Sequence, residues 1–302
     1  MTRLDSNQSE FLFNLLSNFY GLIFPFNLRR NELIMLRRGG KVVEFMGMVK
    51  GGKSKQIRVL KEGSEDYPEL KGLENDSEVT YSLGRPIDIA IFKPNSLIKV
   101  LYEKDENLRA VYNEAIIHLH GLLLNMLSLN EKRDLLRYLK ENVGFDLKIR
   151  EIDLAILDRG PNDDDVWTNT LYDYKTLISA EEREYHLLMA RNLERHVDLA
   201  IGMNVLPEVA KEREGEREGN VMNIPFLRFL HAHYALIAEE AEEGEGQPVT
   251  IQTPYQNIDG DGDFLQNAMT IYKRVKGLYI PQKAEELNKG KNGLEDRINS
   301  EA

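Results

Sequence analysis

Cysteine is absent from the 302 residues, which excludes disulfides, thiolate metal sites and cysteine nucleophiles. Long apolar runs are missing too. No stretch approaches the ~20 residues that span a bilayer, and the opening Met1-Thr-Arg-Leu-Asp-Ser6 does not lead into an apolar core with a small-residue cleavage site. Positive charge is the scarcer sign, 39 Lys and Arg against 50 Asp and Glu for a net of −11. Counterion release needs a basic surface, so this balance argues against a nucleic-acid coat while leaving room for a small basic pocket. What the chain does have is 42% apolar and 29% charged residues, enough for a sizeable core and too apolar for a disordered tail. At about 150 residues per domain the length allows two domains, although an α/β unit can fill it as one. These features predict a soluble, cytoplasmic protein.

Residues 1–40 read as an N-terminal helical extension, with Phe11, Leu12, Leu15, Leu16, Phe19 and Tyr20 at helical spacing before Pro25 and a basic stretch from Arg29 to Arg38. The polar face of that helix lacks the Lys and Arg of membrane-surface helices, which favours packing on the domain. From Lys41 short apolar runs alternate with helical patterns. Strands are expected at 41–46, at 78–82 or 87–92, at 151–157, at 197–202 and at 248–253. Helices are expected at 54–62, 106–129, 166–178, 180–195, from Pro207, at 221–240 and at 263–276. That alternation predicts a parallel sheet covered on both faces. A tail rich in Lys, Glu, Asn and Gly follows from Gln282 and reads as frayed.

The most informative segment is Gly47-Met-Val-Lys50-Gly51-Gly52-Lys53-Ser54, which fits the phosphate-loop pattern G-x-x-x-x-G-K-[ST]. An apolar strand precedes it and a helical segment follows, the context the pattern requires. Glycines at 47, 51 and 52 let the backbone turn tightly and approach a phosphate, so that amides at a helix N-terminus point at the anion. Lys53 supplies a mobile charge for β- and γ-phosphates, and the Ser54 hydroxyl can ligate magnesium. A second element should lie at the end of a neighbouring strand, and Asp158 falls there, where Ile152 to Leu157 reaches the carboxyl edge of the sheet. Arg159 beside it can meet a phosphate bidentately.

Taken in order, the loop with its Lys53-Ser54-Lys55 helix start, Leu157-Asp158-Arg159, and the Pro207-led helix after Val197 to Asn204 resemble the P-loop nucleoside and nucleotide kinases. The likeness is greatest to the thymidylate kinase and deoxynucleoside kinase branch. It implies a three-layer α/β fold with about five parallel strands in the order 2-3-1-4-5, spanning residues 41–281, with an arginine-bearing lid near 211–220. It also implies ATP and Mg2+ as cofactors, Ser54 and Asp158 as metal ligands, and Lys53, Asp158, Arg159, Arg213 and Arg217 as catalytic residues. Gly47, Lys50, Gly51, Gly52, Lys53, Ser54 and Lys55 would bind the nucleotide. The expected activity is phosphoryl transfer to a nucleoside, a nucleoside monophosphate or a similar small acceptor. Partners would be that nucleotide and acceptor, without membrane or nucleic acid, and a homodimer is compatible. A regulatory ATPase or nucleotide switch acting through a protein partner is the rival reading.

Departures from the family are specific. Lys55 stands where a threonine is usual, and Gly160 where an aromatic residue often follows the Asp-Arg pair. The family's acidic base has only Glu78 and Asp88 as weak candidates, and Arg85 is a candidate for the acceptor phosphate. Outside the motifs, Asp259-Gly-Asp-Gly-Asp263 opens like a calcium loop, but Phe264 and Thr270 occupy positions that need Gly and Glu, so it reads as a turn capping the last helix. Asp163-Asp164-Asp165 reads as an acidic helix start after Pro161, with Asp163 close enough to orient Arg159. His118 and His120, like His231 and His233, are spaced against a shared metal on a helix. Glu44 inside an apolar strand needs a buried partner, and Trp167 reads as core.

Overall fold

The computed structural model describes residues 32–48, 50–93, 109–127, 148–214, 223–246 and 248–280. The expected N-terminal helix up to residue 31 and the tail from Gln282 lie outside the described residues. Five strands form one sheet in the order β2-β3-β1-β4-β5, all paired in parallel. They are β1 (Glu32–Gly47), β2 (Ile89–Phe92), β3 (Lys148–Asp158), β4 (Leu199–Asn204) and β5 (Tyr255–Asp259). This is the order that the resemblance implied.

Helices cover both faces. The alternation of β1 sends Val43 and Phe45 to one side, against Ile57 and Leu60 of α1 (Lys53–Glu62), Val79 of α2 (Ser77–Leu83) and Ile271 and Val275 of the last helix. Val42 and Met46 face the other side. There Val42 joins Ile117 of α3 (Arg109–Leu127) and Leu193 of α5 (Ala180–Glu194). Met46 packs with Val166 of α4 (Pro161–Asp173) and with Phe226, Leu230 and Tyr234 of the long helix Ile224–Glu243. Glu44 shares the parity of Val42 and Met46, so it too points at the face covered by α4.

Strand β1 begins nine residues before the expected Lys41, and the boundary placed at residue 40 falls inside it. Its pairing with β3 shifts register between Leu36 and Lys41, where Gly39 takes a φ of 81°. Arg37 therefore belongs to the sheet, its guanidinium held by Glu151 and Asp153 of β3. Segment 78–82 is helical rather than extended. Its Val, Thr and Tyr suit a strand, but Asp76 accepts the amides of Glu78 and Val79 and Gly84 closes the helix at a φ of 68°. The second strand is therefore the 87–92 run.

Beyond β4 come α6 (Pro207–Glu214), α7 (Ile224–Glu243) and α8 (Phe264–Lys276). The strand expected at 248–253 forms at Tyr255–Asp259 instead. Side chains claim the earlier amides: Glu240 accepts from the backbone N–H of Val249 and Thr250, and Glu194 from that of Gln252. Pairing with β4 can begin only after Pro254, at Tyr255 opposite Ala200. Among the described residues no helix is long and apolar enough to cross a membrane.

Candidate phosphate-binding site

Parallel strands put their carboxyl ends on one edge, and the register places Phe45 of β1 opposite Asp158 of β3. The glycine loop leaves β1 at that edge. Gly47 has a φ of 126° and sits so close to β4 that a Cβ would lie 2.4 Å from the Met203 carbonyl oxygen. Gly52 caps α1 from the left-handed region, with a φ of 89°, and Lys50 adopts a φ of 61° in the turn. No side chain caps α1, so its first-turn amides face the loop unblocked by a cap. Lys53 is folded inward, 7% exposed, and its Nζ donates to the carbonyl oxygens of Gly47 (2.8 Å) and Met48 (2.7 Å).

The two halves of the predicted site meet. Ser54 Oγ donates to Asp158 Oδ2 at 2.9 Å. A third group that the sequence reading missed joins them: Lys93 Nζ lies 3.3 Å from Ser54 Oγ and 3.4 Å from Asp158 Oδ2. Lys93 directly follows β2, whose last residue, Phe92, pairs with Leu157. It therefore emerges beside Asp158. The signal was available, since Ile89 to Phe92 is an apolar run ending on a charged residue, the same pattern that singled out Asp158.

Arg159 follows in the left-handed region, with a φ of 77°, and its amide donates to the Phe45 carbonyl. Its guanidinium bonds Asp163 at 2.5 Å and lies 5.3 Å from the Trp167 ring centre. The other oxygen of Asp163 accepts the Gly47 amide (3.1 Å) and the Tyr234 hydroxyl (2.5 Å). One carboxylate thus joins the start of the glycine loop, the arginine and α7. The acidic run starts a helix and Asp163 reaches Arg159, as expected, and Asp163, Asp164 and Asp165 are all buried. Each has a partner: Arg159 for Asp163, His120 Nδ1 at 2.6 Å for Asp164, and Arg191 for Asp165. The partner of Glu44 is α4 itself. Its carboxyl accepts from the backbone amides of Asn162 (3.1 Å) and Asp163 (2.8 Å) and from the Asn162 side chain (2.7 Å), capping the helix from a neighbouring strand. Burial pushes the Glu44 carboxyl up to about 8, against the pull of those donors.

Comparison with known proteins gives limited company. No protein-family model matches the sequence, and no curated protein sequence matches it. Three solved structures of a deoxyadenosine kinase from M. mycoides are similar in outline. The one with bound dATP has 16% identity and a TM-score of 0.46, covering 78% of this chain and 98% of that one. The one with bound dCTP has 15% identity and a TM-score of 0.39 over 78% and 99%. The third, with products dCMP and a flexible dCDP bound, has 14% identity and a TM-score of 0.41 over 78% and 99%. Likenesses this distant carry no weight of their own, and the residues of the site carry the functional reading.

Other predicted residues divide. Arg213 of α6 is tied to the turn after β5, bonding the Gly260 carbonyl (3.2 Å) and Asp261 (3.1 Å). That turn abuts the glycine loop, since a Cβ on Gly260 would lie 3.3 Å from the Gly51 carbonyl. Asp263 caps α8 as expected, accepting the Gln266 amide. Arg217 lies outside the described residues. Lys55 sits at the start of α1, with its ammonium 4.0 Å from the Phe264 ring centre. Arg85, Asp88 and Glu78 do not reach the site. Arg85 bonds Asp153, which lies five residues before Asp158 on β3 and hence about 16 Å from that edge. Asp88 pairs with Arg150, and Glu78 is exposed beside Lys276.

The hydroxyl of Ser54 and the carboxylate of Asp158 are adjacent hard oxygen donors of the kind magnesium takes. Among the described residues no group of three or more acidic or His side chains could hold a metal ion. Magnesium commonly uses only one or two protein oxygens, with phosphates and waters completing the shell, so this donor pair fits it.

Proposed function

We propose that this chain is a magnesium-dependent phosphotransferase that moves the γ-phosphoryl group of ATP to a nucleoside, a nucleoside monophosphate or a similar small acceptor. The observation that carries the reading is the Ser54–Asp158 hydrogen bond, which brings the glycine loop and the acidic strand end into one site. Backbone amides of the glycine loop and the start of α1, with Lys50 and Lys55 at the rim, would cradle the phosphates. Lys53 swings from the Gly47 and Met48 carbonyls to the β- and γ-phosphates, while Arg159, Arg213 and Arg217 steady the transferred group. Ser54 and Asp158 would hold magnesium, which supplies charge neutralisation when bound. The displacement of Glu78 and Asp88 from the site favours a second reading, a nucleotide-hydrolysing switch that needs no acceptor base.

Labelled ATP incubated with a panel of nucleosides and monophosphates separates the two. Transfer of label to one acceptor, reduced at least about a hundredfold in Lys53→Ala and Asp158→Ala, is the expected result. Phosphate release without any acceptor would select the switch instead.

A pH signature follows from Lys53. Burial lowers its ammonium to about 7, helped by Arg159 and opposed by Asp163 and Asp158. The charged form is the one that neutralises phosphate. Below pH 7 the free protein already carries that proton, and above it the proton must be regained on binding. ATP affinity is therefore expected to fall by up to about tenfold per pH unit above pH 7. Titration calorimetry at pH 8 in buffers of different ionisation enthalpy should show proton uptake, and none would contradict the assignment.

A further inference from the structure

We propose that Lys93 is an internal counter-cation of the nucleotide site, its ammonium standing at the two oxygens, Ser54 Oγ and Asp158 Oδ2, that are offered to a divalent ion. The inference rests on the nucleotide-binding reading above and adds to it that ATP can also be held before a metal arrives, with magnesium displacing the lysine for transfer. Three observations meet at this point. The register of β2 against β3 fixes the backbone of Lys93 beside Asp158. Its Nζ is 3.3 Å from the serine oxygen and 3.4 Å from the carboxylate, with the serine proton already directed at Asp158, so the hydroxyl lone pairs face the ammonium. Its side chain is 44% exposed while that of Asp158 is 14% exposed, so the charge sits at the mouth of the site where an incoming phosphate arrives.

An exposed lysine–carboxylate pair contributes little to folding, so the fold does not depend on this placement. Its effect falls on ligands. Magnesium binds oxygen at about 2.1 Å, and an ion on Ser54 Oγ would share that oxygen with an ammonium 3.3 Å away. An ammonium and a metal ion on the same oxygen disfavour each other as like charges. Lys93 and a divalent ion thus compete for one position, and with Lys53 and Arg159 the lysine completes a set of three cations at this edge of the sheet. Phosphate binding by lysine as a point charge needs no metal bridge.

The test is ATP affinity by titration calorimetry, with EDTA and with excess Mg2+, for the unaltered protein, Lys93→Gln, Lys93→Arg and Lys53→Ala. Thermal unfolding of each variant serves as the check on folding. The unaltered protein is expected to bind ATP in EDTA within about threefold of its affinity in Mg2+, whereas Lys93→Gln loses about tenfold or more in EDTA alone and recovers in Mg2+. Lys93→Arg, which keeps the charge, should retain binding in EDTA. Equal affinity of Lys93→Gln and the unaltered protein in EDTA would overturn the proposal. So would an unaltered protein that binds ATP only with Mg2+, an outcome that leaves the phosphotransferase reading standing. Absence of ATP binding under either condition, or undiminished binding by Lys53→Ala, removes the nucleotide site itself and this inference with it.

Discussion

Replacement of Asp163 by alanine is expected to lower the unfolding free energy by about 3–5 kcal/mol, the range seen when one partner of a buried ion pair is removed. The expectation comes from what the carboxylate holds. Arg159 is only 12% exposed and bonds Asp163 at 2.5 Å, so the variant leaves a guanidinium in the protein without its counter-charge. The Gly47 amide and the Tyr234 hydroxyl lose their acceptor at the same time. Burial and the negative charge of Asp163 together push the Tyr234 hydroxyl well above its ordinary range, so the tyrosine stays neutral and cannot replace the lost charge. Urea unfolding measures the loss. Tyr234→Phe, which removes one hydrogen bond and keeps the ion pair, should cost only about 1 kcal/mol. An alanine variant within that smaller margin would show that Asp163 is not the junction described.

Gly47→Ala should be nearly as damaging, by about 3–5 kcal/mol from left-handed backbone strain and overpacking combined, and it should abolish nucleotide binding. A Cβ at Gly47 would meet the Met203 carbonyl oxygen at 2.4 Å and its amide nitrogen at 2.8 Å. These are backbone atoms of β4 and cannot rotate away. Relief would require β1 and β4 to part where the loop begins. Gly39→Ala is the matched control, since its φ is 81° with nothing within 4 Å of the added carbon. It should cost only about 1–2 kcal/mol and leave binding intact. Equal unfolding midpoints for the two variants would remove the close approach from the explanation.

The parts of this molecule that could be read from sequence are those in which chemistry and position coincide along the chain. The glycine loop is consecutive, and each of its residue types has one reason to be there. Asp158 announced itself by ending an apolar strand, and alternation of strands with helices led to a parallel sheet. Failures came where the deciding group is distant or lies just outside the segment. Residues 78–82 have the composition of a strand, and a cap at Asp76 with a glycine at 84 makes them a helix. The 248–253 run is apolar enough to pair, but its amides are taken by Glu240 and Glu194 from other helices.

The acidic run at 163–165 shows the same limit more sharply. Three consecutive aspartates were legible as a helix start with Arg159 in reach of Asp163, but their burial was not, because the groups that neutralise Asp164 and Asp165 are remote in the chain. Their partners Arg159, His120 and Arg191 come from the turn before α4, from α3 and from α5. Glu44 was legible as an oddity, and its role as the cap of α4 was not, since the helix it caps begins 117 or more residues later. Lys93 went unnoticed because no motif includes it, although it ends its strand as Asp158 does.

The contacts that define the site join residues remote along the chain. Ser54 meets Asp158 over 104 residues, Gly47 meets Asp163 over 116, and Glu44 meets Asn162 over 118. Closing such separations costs chain entropy that only the packed sheet repays. A nascent chain that has finished the glycine loop, or a fragment ending before β3, owns the motif without the means to use it. On the proposed function, competence to hold a nucleotide is thus conferred by topology, and it depends on completion of the β1–β3 pairing.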